Sequence, residues 1–63
     1  GVAIRWQSVD GKYYRLERGT NLMADPAFDY DVRINIPGIA PLNTETDETA
    51  VGQGPWFYRI KLE

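Results

Sequence analysis

Trp56-Phe57-Tyr58-Arg59-Ile60-Lys61-Leu62-Glu63, entered through Gly52-Gln53-Gly54-Pro55, is the stretch on which the fold turns. Trp56, Tyr58, Ile60 and Leu62 fall on one face and Phe57, Arg59, Lys61 and Glu63 on the other, the period of two that marks a half-buried strand. Aromatic and β-branched residues suit a pleated surface, and the glycines and proline ahead of them supply a turn. An apolar strand face needs a cover, so the upstream chain is expected to provide further strands.

It does so in order. Val2, Ile4 and Trp6 share a face against Ala3, Arg5 and Gln7, giving a first strand over residues 2–8. Val9-Asp10-Gly11-Lys12 follows, and Asp-Gly between alternating runs predicts a tight hairpin, with the second strand, Tyr13 to Arg18, antiparallel to the first. In that strand Tyr14 and Leu16 point inward, Arg15 and Glu17 outward. Residues 22–27 predict a loop with Leu22 plugging the core, since Pro26 biases Asp25 to an extended conformation. Phe28 to Ile36 alternates most cleanly, with Phe28, Tyr30, Val32, Ile34 and Ile36 on the core face and Asp29, Asp31, Arg33 and Asn35 in water. Pro37-Gly38 ends it, and residues 39–42 predict an irregular, partly buried crossing. Residues 44–49 are polar and threonine-rich, a short edge strand or turn. The expected core is Trp6, Tyr14, Leu16, Tyr30, Val32, Ile34, Tyr58 and Ile60, with Trp6 and Tyr58 facing each other between two sheets.

Sixty-three residues permit one small domain, residues 1–63, and no more. Chains this short bury only about 60% of the surface they expose when unfolded and usually need a staple. With no cysteine and no histidine, neither a disulfide nor a Cys/His metal clip is open to this chain. Good packing or another chain must serve instead. A net charge of −2, with both signs dispersed, offers no basic stripe for nucleic acid or for a membrane surface. No apolar run approaches the ~18–20 residues of a membrane span, so no insertion is expected. The opening Gly1-Val2 carries no signal-like run, which leaves the compartment open.

Catalysis needs a nucleophile beside a base, a carboxylate pair in a pocket, or a metal with an open position. Ser8 has no evident base, and a domain of this size has little room for a pocket, so no enzyme and no catalytic residue is expected. Asp25, Asp29, Asp31 and Asp47-Glu48 are the residues to weigh for calcium. Their spacing is unlike an EF-hand loop, and a solvated acidic face paired with Arg33 accounts for Asp29 and Asp31. No metal or cofactor is expected. Tyr13, Trp56 and Phe57 are candidate ligand-binding residues, because outward aromatics form platforms for sugar rings. The plainer reading is that Tyr13 and Phe57 cover each other as a cross-strand pair.

Short motifs then carry a resemblance. Ile4-x-Trp6, Asp10-Gly11-x-x-Tyr14-x-Leu16-x-x-Gly19-Thr20-Asn21-Leu22, Pro41-Leu42-Asn43-Thr44-x-Thr46-Asp47 and Gly54-x-x-Phe57-Tyr58-Arg59-Ile60 span nearly the whole chain. Together they resemble the small fibronectin type III-like repeat found at the C-terminal ends of many secreted bacterial proteins. The resemblance implies an all-β, five-strand antiparallel sandwich that lacks the outer strands of a seven-strand domain. It implies an extracellular or cell-surface setting and a non-enzymatic structural or protein-interaction role. Partners would be other copies of the chain or neighbouring domains of a larger protein. A carbohydrate-binding accessory module that takes a glycan, and the subunit of an extracellular filament, are the alternatives. With outer strands missing, the first and last strands would present unpaired edges, which makes Val2, Ile4, Arg5, Arg59 and Lys61 the candidate interface residues. Those cations would meet Glu17, Glu45 or Glu63 of a neighbour.

Overall fold

The computed structural model describes all of residues 1–63. It contains five strands and no helix: β1 Val2–Gln7, β2 Tyr13–Gly19, β3 Tyr30–Pro37, β4 Leu42–Asp47 and β5 Phe57–Leu62. They form two antiparallel sheets, a two-stranded one ordered β1-β4 and a three-stranded one ordered β3-β2-β5. The expected all-β, five-strand antiparallel sandwich is therefore the architecture of the chain.

The hairpin expected between β1 and β2 does not form. β1 pairs with β4, and β2 is flanked on both edges by β3 and β5. Val9–Lys12 is still a turn, closed by the Lys12 amide on the Val9 carbonyl at 3.3 Å with Gly11 at φ 85°. It turns the chain from one sheet into the other instead of along one sheet. The reason is burial: as a hairpin, Val2, Ile4 and Trp6 would lie beside Tyr14 and Leu16 on one uncovered face. Folded across, the two rows cover each other. Polar contacts hold this corner: the Val9 amide donates to the Tyr14 hydroxyl at 2.9 Å and the Ala40 amide to Asp10 Oδ1 at 2.9 Å. Gly38 closes onto it, its amide donating to the Lys12 carbonyl at 2.8 Å. A Cβ at Gly38 would run into the Val9 carbonyl, so only glycine fits there.

Tyr14, Leu16 and Ile36 form the buried centre, with Ile4, Trp6, Val32, Tyr58 and Ile60 packed against them. Trp6 meets Tyr14 edge to face, ring centroids 6.0 Å apart. The cross-sheet partner of Trp6 is thus Tyr14, and Tyr58 is instead bonded to Asp47. Two further expected core residues are displaced: Tyr30 is 41% and Ile34 46% exposed, while Ile36 is 1% exposed. For Ile34 the cause lies in β3, whose register against β2 shifts twice, between Tyr14 and Leu16 and between Leu16 and Glu17; Tyr30, opposite Arg18 beyond both shifts, keeps the inner face but stays open to water on the edge strand. Each bulge adds a residue to β3 and bends it. Asn35 adopts φ 54° within the first. Uniform alternation from Phe28 to Ile36 is lost for the same reason, and the strand begins only at Tyr30.

Leu22 does not plug the core. The Asn21 side chain accepts from the Met23 amide at 2.9 Å, and that local turn throws Leu22 and Met23 outward into water. The loop instead crosses the outer face of β2 at Gly19, where a Cβ would strike the Ala27 carbonyl. This crossing carries Phe28 to the outer face of β5, where Arg59 lies over its ring at 4.5 Å. The connection from Ile39 to Leu42 is exposed rather than partly buried.

Ile36→Ala is expected to cost about 2–5 kcal/mol, the range for emptying a buried aliphatic site, and Ile34→Ala less than about 1 kcal/mol. Urea unfolding of the two variants checks it; equal losses would return Ile34 to the core.

Candidate functional site

β4 sets the polar chemistry of the molecule. Its register with β1 pairs Asn43 with Trp6, Glu45 with Ile4 and Asp47 with Val2. Directly opposed residues share a face, so β4 turns a wholly polar row toward the core. Each member is satisfied. The Asn43 side chain accepts from the Ile39 amide at 2.8 Å and donates to the Pro37 carbonyl at 3.0 Å, clipping the β3–β4 crossing. Glu45 forms an ion pair with Arg33, which the β3 bulges have turned inward. Arg33 was expected beside Asp29 and Asp31; it bridges the sheets instead.

Asp47 is fully buried. Its Oδ2 accepts from Arg18 Nη1 at 2.7 Å and from the Tyr58 hydroxyl at 3.0 Å. Its Oδ1 accepts from the Thr49 amide at 2.9 Å and the Thr49 hydroxyl at 2.5 Å. Arg18 lies opposite both Tyr30 and Tyr58 in the three-stranded sheet, so it projects from the same inner face as Leu16. Its guanidinium sits over the Tyr30 ring at 4.3 Å and the Trp56 ring at 4.9 Å, within the reach of cation–π attraction. Burial pushes the Asp47 carboxyl up, but the hydrogen bonds from Thr49, Arg18 and Tyr58 outweigh it and hold the group at about 2. Tyr58 is raised by burial and by its bond to the Asp47 carboxylate. In the sequence Asp47 stood out only as one of several carboxylates to weigh for calcium, and Arg18 did not stand out at all. The signal was parity, because Arg18 shares the face of Tyr14 and Leu16, and Asp47 sits at the end of a polar row.

The three candidate ligand residues do not share a surface. Tyr13 starts β2 opposite Pro37, and Phe57 lies opposite Gly19 at its far end. Six residue steps along β2 separate them, about 20 Å, so they form neither the cross-strand pair nor a common platform. Trp56 is half-buried over Arg18. No group of three or more acidic side chains is placed to hold a metal ion. One open, mostly apolar groove of about 690 Å³ runs along Gln7, Ser8, Val9, Ala40, Pro41 and Leu42, larger than the sequence had led one to expect. It holds no charged side chain and no base for Ser8, whose hydroxyl donates to the Trp6 carbonyl at 3.4 Å.

What remains open is backbone. In antiparallel pairs, opposed residues alternate between those that exchange both main-chain bonds and those that exchange none. The Ser8 amide bonds the Pro41 carbonyl at 2.9 Å, in the register of the β1–β4 pair. Val2, Ile4 and Trp6 therefore bond β4, and the N–H and C=O groups of Ala3, Arg5 and Gln7 point to the free edge. On β5 the Glu63 amide bonds the Tyr13 carbonyl at 2.8 Å. Phe57, Arg59 and Lys61 bond β2, and Tyr58, Ile60 and Leu62 present the free edge. The interface candidates thus separate: Arg5 offers its own backbone to a partner, whereas Arg59 and Lys61 offer side chains only. The anions expected to receive these cations are engaged within the chain, Glu17 by Arg59, Glu45 by Arg33 and Glu63 by Arg15.

No family model, curated protein or solved structure matches this chain.

A lowered carboxylate contributes stability that is present above the unfolded value and lost as the pH falls through the folded one. Stability is therefore expected to fall as the pH drops from 3.8 toward about 2, the window set by Asp47. Titration of the Asp47 carboxyl by carbon-13 NMR checks it. A midpoint near 3.8 would mean that the Arg18, Tyr58 and Thr49 bonds do not persist in solution.

Proposed function

We propose that this chain is a non-enzymatic, fibronectin type III-like module of the extracellular space or cell surface, acting through strand-edge pairing with other copies or with a parent protein. The observation that carries this reading is the pair of regular, uncovered edges on β1 and β5. Arg33 and Glu45 tie β3 to β4, so the two edges lie along the opposite flank of the sandwich. Along that flank Ile4, Trp6 and Ile60 are half-buried and Leu62 is 61% exposed. Rows of unpaired N–H and C=O groups beside apolar surface are a template for added strands.

Two features support the fibronectin-like reading. Immunoglobulin-type sandwiches pair their second strand with the fifth in one sheet and their third with the sixth in the other. β1 with β4, and β2 with β3 and β5, follow that pairing if the outermost strands are left out. Such sandwiches also carry a tyrosine near the start of the sixth strand whose hydroxyl bonds back across the preceding corner. Tyr58 stands at that place and bonds Asp47, at the end of β4. The non-enzymatic part rests on the lack of histidine and cysteine and on the isolation of Ser8 from any base.

Edge pairing has a residue-level signature in hydrogen exchange. As concentration rises from low to high micromolar, sedimentation is expected to report growing mass. Over the same range the amides of Ala3, Arg5 and Gln7, or of Tyr58, Ile60 and Leu62, should become protected. A monomer whose edge amides stay unprotected at high micromolar concentration would overturn the reading.

A further inference from the structure

The four free edges of the two sheets are not equivalent, and their chemistry selects one of them. β3 is blunted by its two bulges, by Asn35 at φ 54° and by Pro37 at its end. β4 faces inward with Asn43, Glu45 and Asp47, whose hydrogen bonds and ion pairs are already made inside the molecule, so added burial gains nothing there. β5 is regular, but its outer face carries Arg59 and Lys61. Any antiparallel pairing of β5 with another β5 that overlaps five or more residues sets Arg59 or Lys61 directly against a like charge. Such opposition is destabilising. Parallel pairing of β1 of one copy with β5 of another matches the faces, but every overlap of five or more strand residues sets Arg5 directly against Arg59 or Lys61. Antiparallel pairing of the two fails on parity. The outward backbone of β1 belongs to its solvent-facing residues Ala3, Arg5 and Gln7, and that of β5 to its core-facing residues Tyr58, Ile60 and Leu62. Joining them would set a core face against a wet face.

β1 against a second β1 has no such conflict. Matching residue 5 to residue 5 opposes Arg5 to Arg5. Moving the centre to Ile4 removes that clash and keeps the same five-residue overlap of β1, now residues 2–6. Ala3 then exchanges main-chain bonds with Arg5 of the other copy, and Gln7 with Gly1. On the core side Ile4 meets Ile4 and Val2 meets Trp6, all apolar and half-buried in the single chain. The contact maps onto itself under a two-fold rotation, so it closes at two copies.

Resting on the edge-pairing reading above, we propose that the partner of this chain is a second copy of itself. The two join β1 to β1 in antiparallel register about Ile4, forming a continuous four-stranded sheet, β4-β1-β1-β4. The dimer is a symmetric pair and not a filament.

The test combines sedimentation with cross-linking, which is clean because the chain has no cysteine. Arg5→Pro removes an N–H that points to the free edge of β1, and Leu62→Pro removes the corresponding one on β5. The unmodified chain and Leu62→Pro are expected to reach a mass twice 7.2 kDa and stop there. Arg5→Pro is expected to associate at least ~10-fold more weakly, about 1.4 kcal/mol. In an oxidised mixture of Ala3→Cys and Arg5→Cys chains, disulfides should link position 3 of one to position 5 of the other in excess over 3–3 and 5–5 links. This measurement decides the matter alone if Arg5→Pro does not fold. Association lost in Leu62→Pro but kept in Arg5→Pro, mass growing beyond two copies, or a dominant 5–5 link would overturn the β1 dimer and leave edge pairing standing. A strictly monomeric chain would overturn both.

Discussion

The Asp47 carboxylate, sealed between the two sheets with Arg18, Tyr58 and Thr49 as its partners, is the constraint on which the rest of this structure depends. A domain this small buries little apolar surface, and here only Tyr14, Leu16, Ile36 and Ala50 are buried hydrophobics. Hydrophobic cover between a two-stranded and a three-stranded sheet is correspondingly thin. The β4 strand answers with polar links, Asn43 at one end, Glu45 in the middle and Asp47 at the other. Breaking a buried charge pair is costly because the remaining charge is stranded, so the network also fixes how the sheets are set against each other. Arg18 extends it sideways: flanked by the Tyr30 and Trp56 rings, it draws the edge of β3 and the entry to β5 onto the same carboxylate.

Those links explain which parts of the fold alternation could reveal. The five strands were legible because β1, β2 and β5 obey a period of two, and the polar residues of β4 suited a sheet boundary. Pairing was not legible. Asp10-Gly11 favours a tight turn, but nothing local distinguishes a turn within a sheet from one between sheets; that is decided by which apolar rows need covering. Ile34 was misread because the bulges in β3 are a response to β2, not a property of residues 28–36, and Tyr30 because an edge strand leaves even an inner-face ring open to water. Leu22 was misread because the Asn21 turn, a hydrogen bond two residues long, outweighed the burial of one leucine. The Asp47 site lay in view as an arginine and an aspartate at core parity, a charge pattern easily passed over as strand-edge polarity.

The same asymmetry of charge and burial shapes the surface. Polar residues finish their business inside on the β3–β4 flank, where Arg33 closes the sandwich. On the β1–β5 flank nothing closes it, and backbone groups and half-buried apolar side chains lie side by side. Arg59 and Lys61 guard one of the two edges with like charge, while β1 carries a single charge, Arg5, that a shift of register avoids. Proposed function and proposed partner both follow from that difference between the flanks.

Arg18 and Asp47 act as one unit across the sheets. A double-mutant cycle built from Arg18→Met, Asp47→Asn and the pair, read by urea unfolding, measures it directly. Coupling of about 2 kcal/mol or more is predicted for a buried, hydrogen-bonded charge pair. Losses that add to within about 0.5 kcal/mol would mean that the two residues act independently, and would contradict the account of how the sheets are joined.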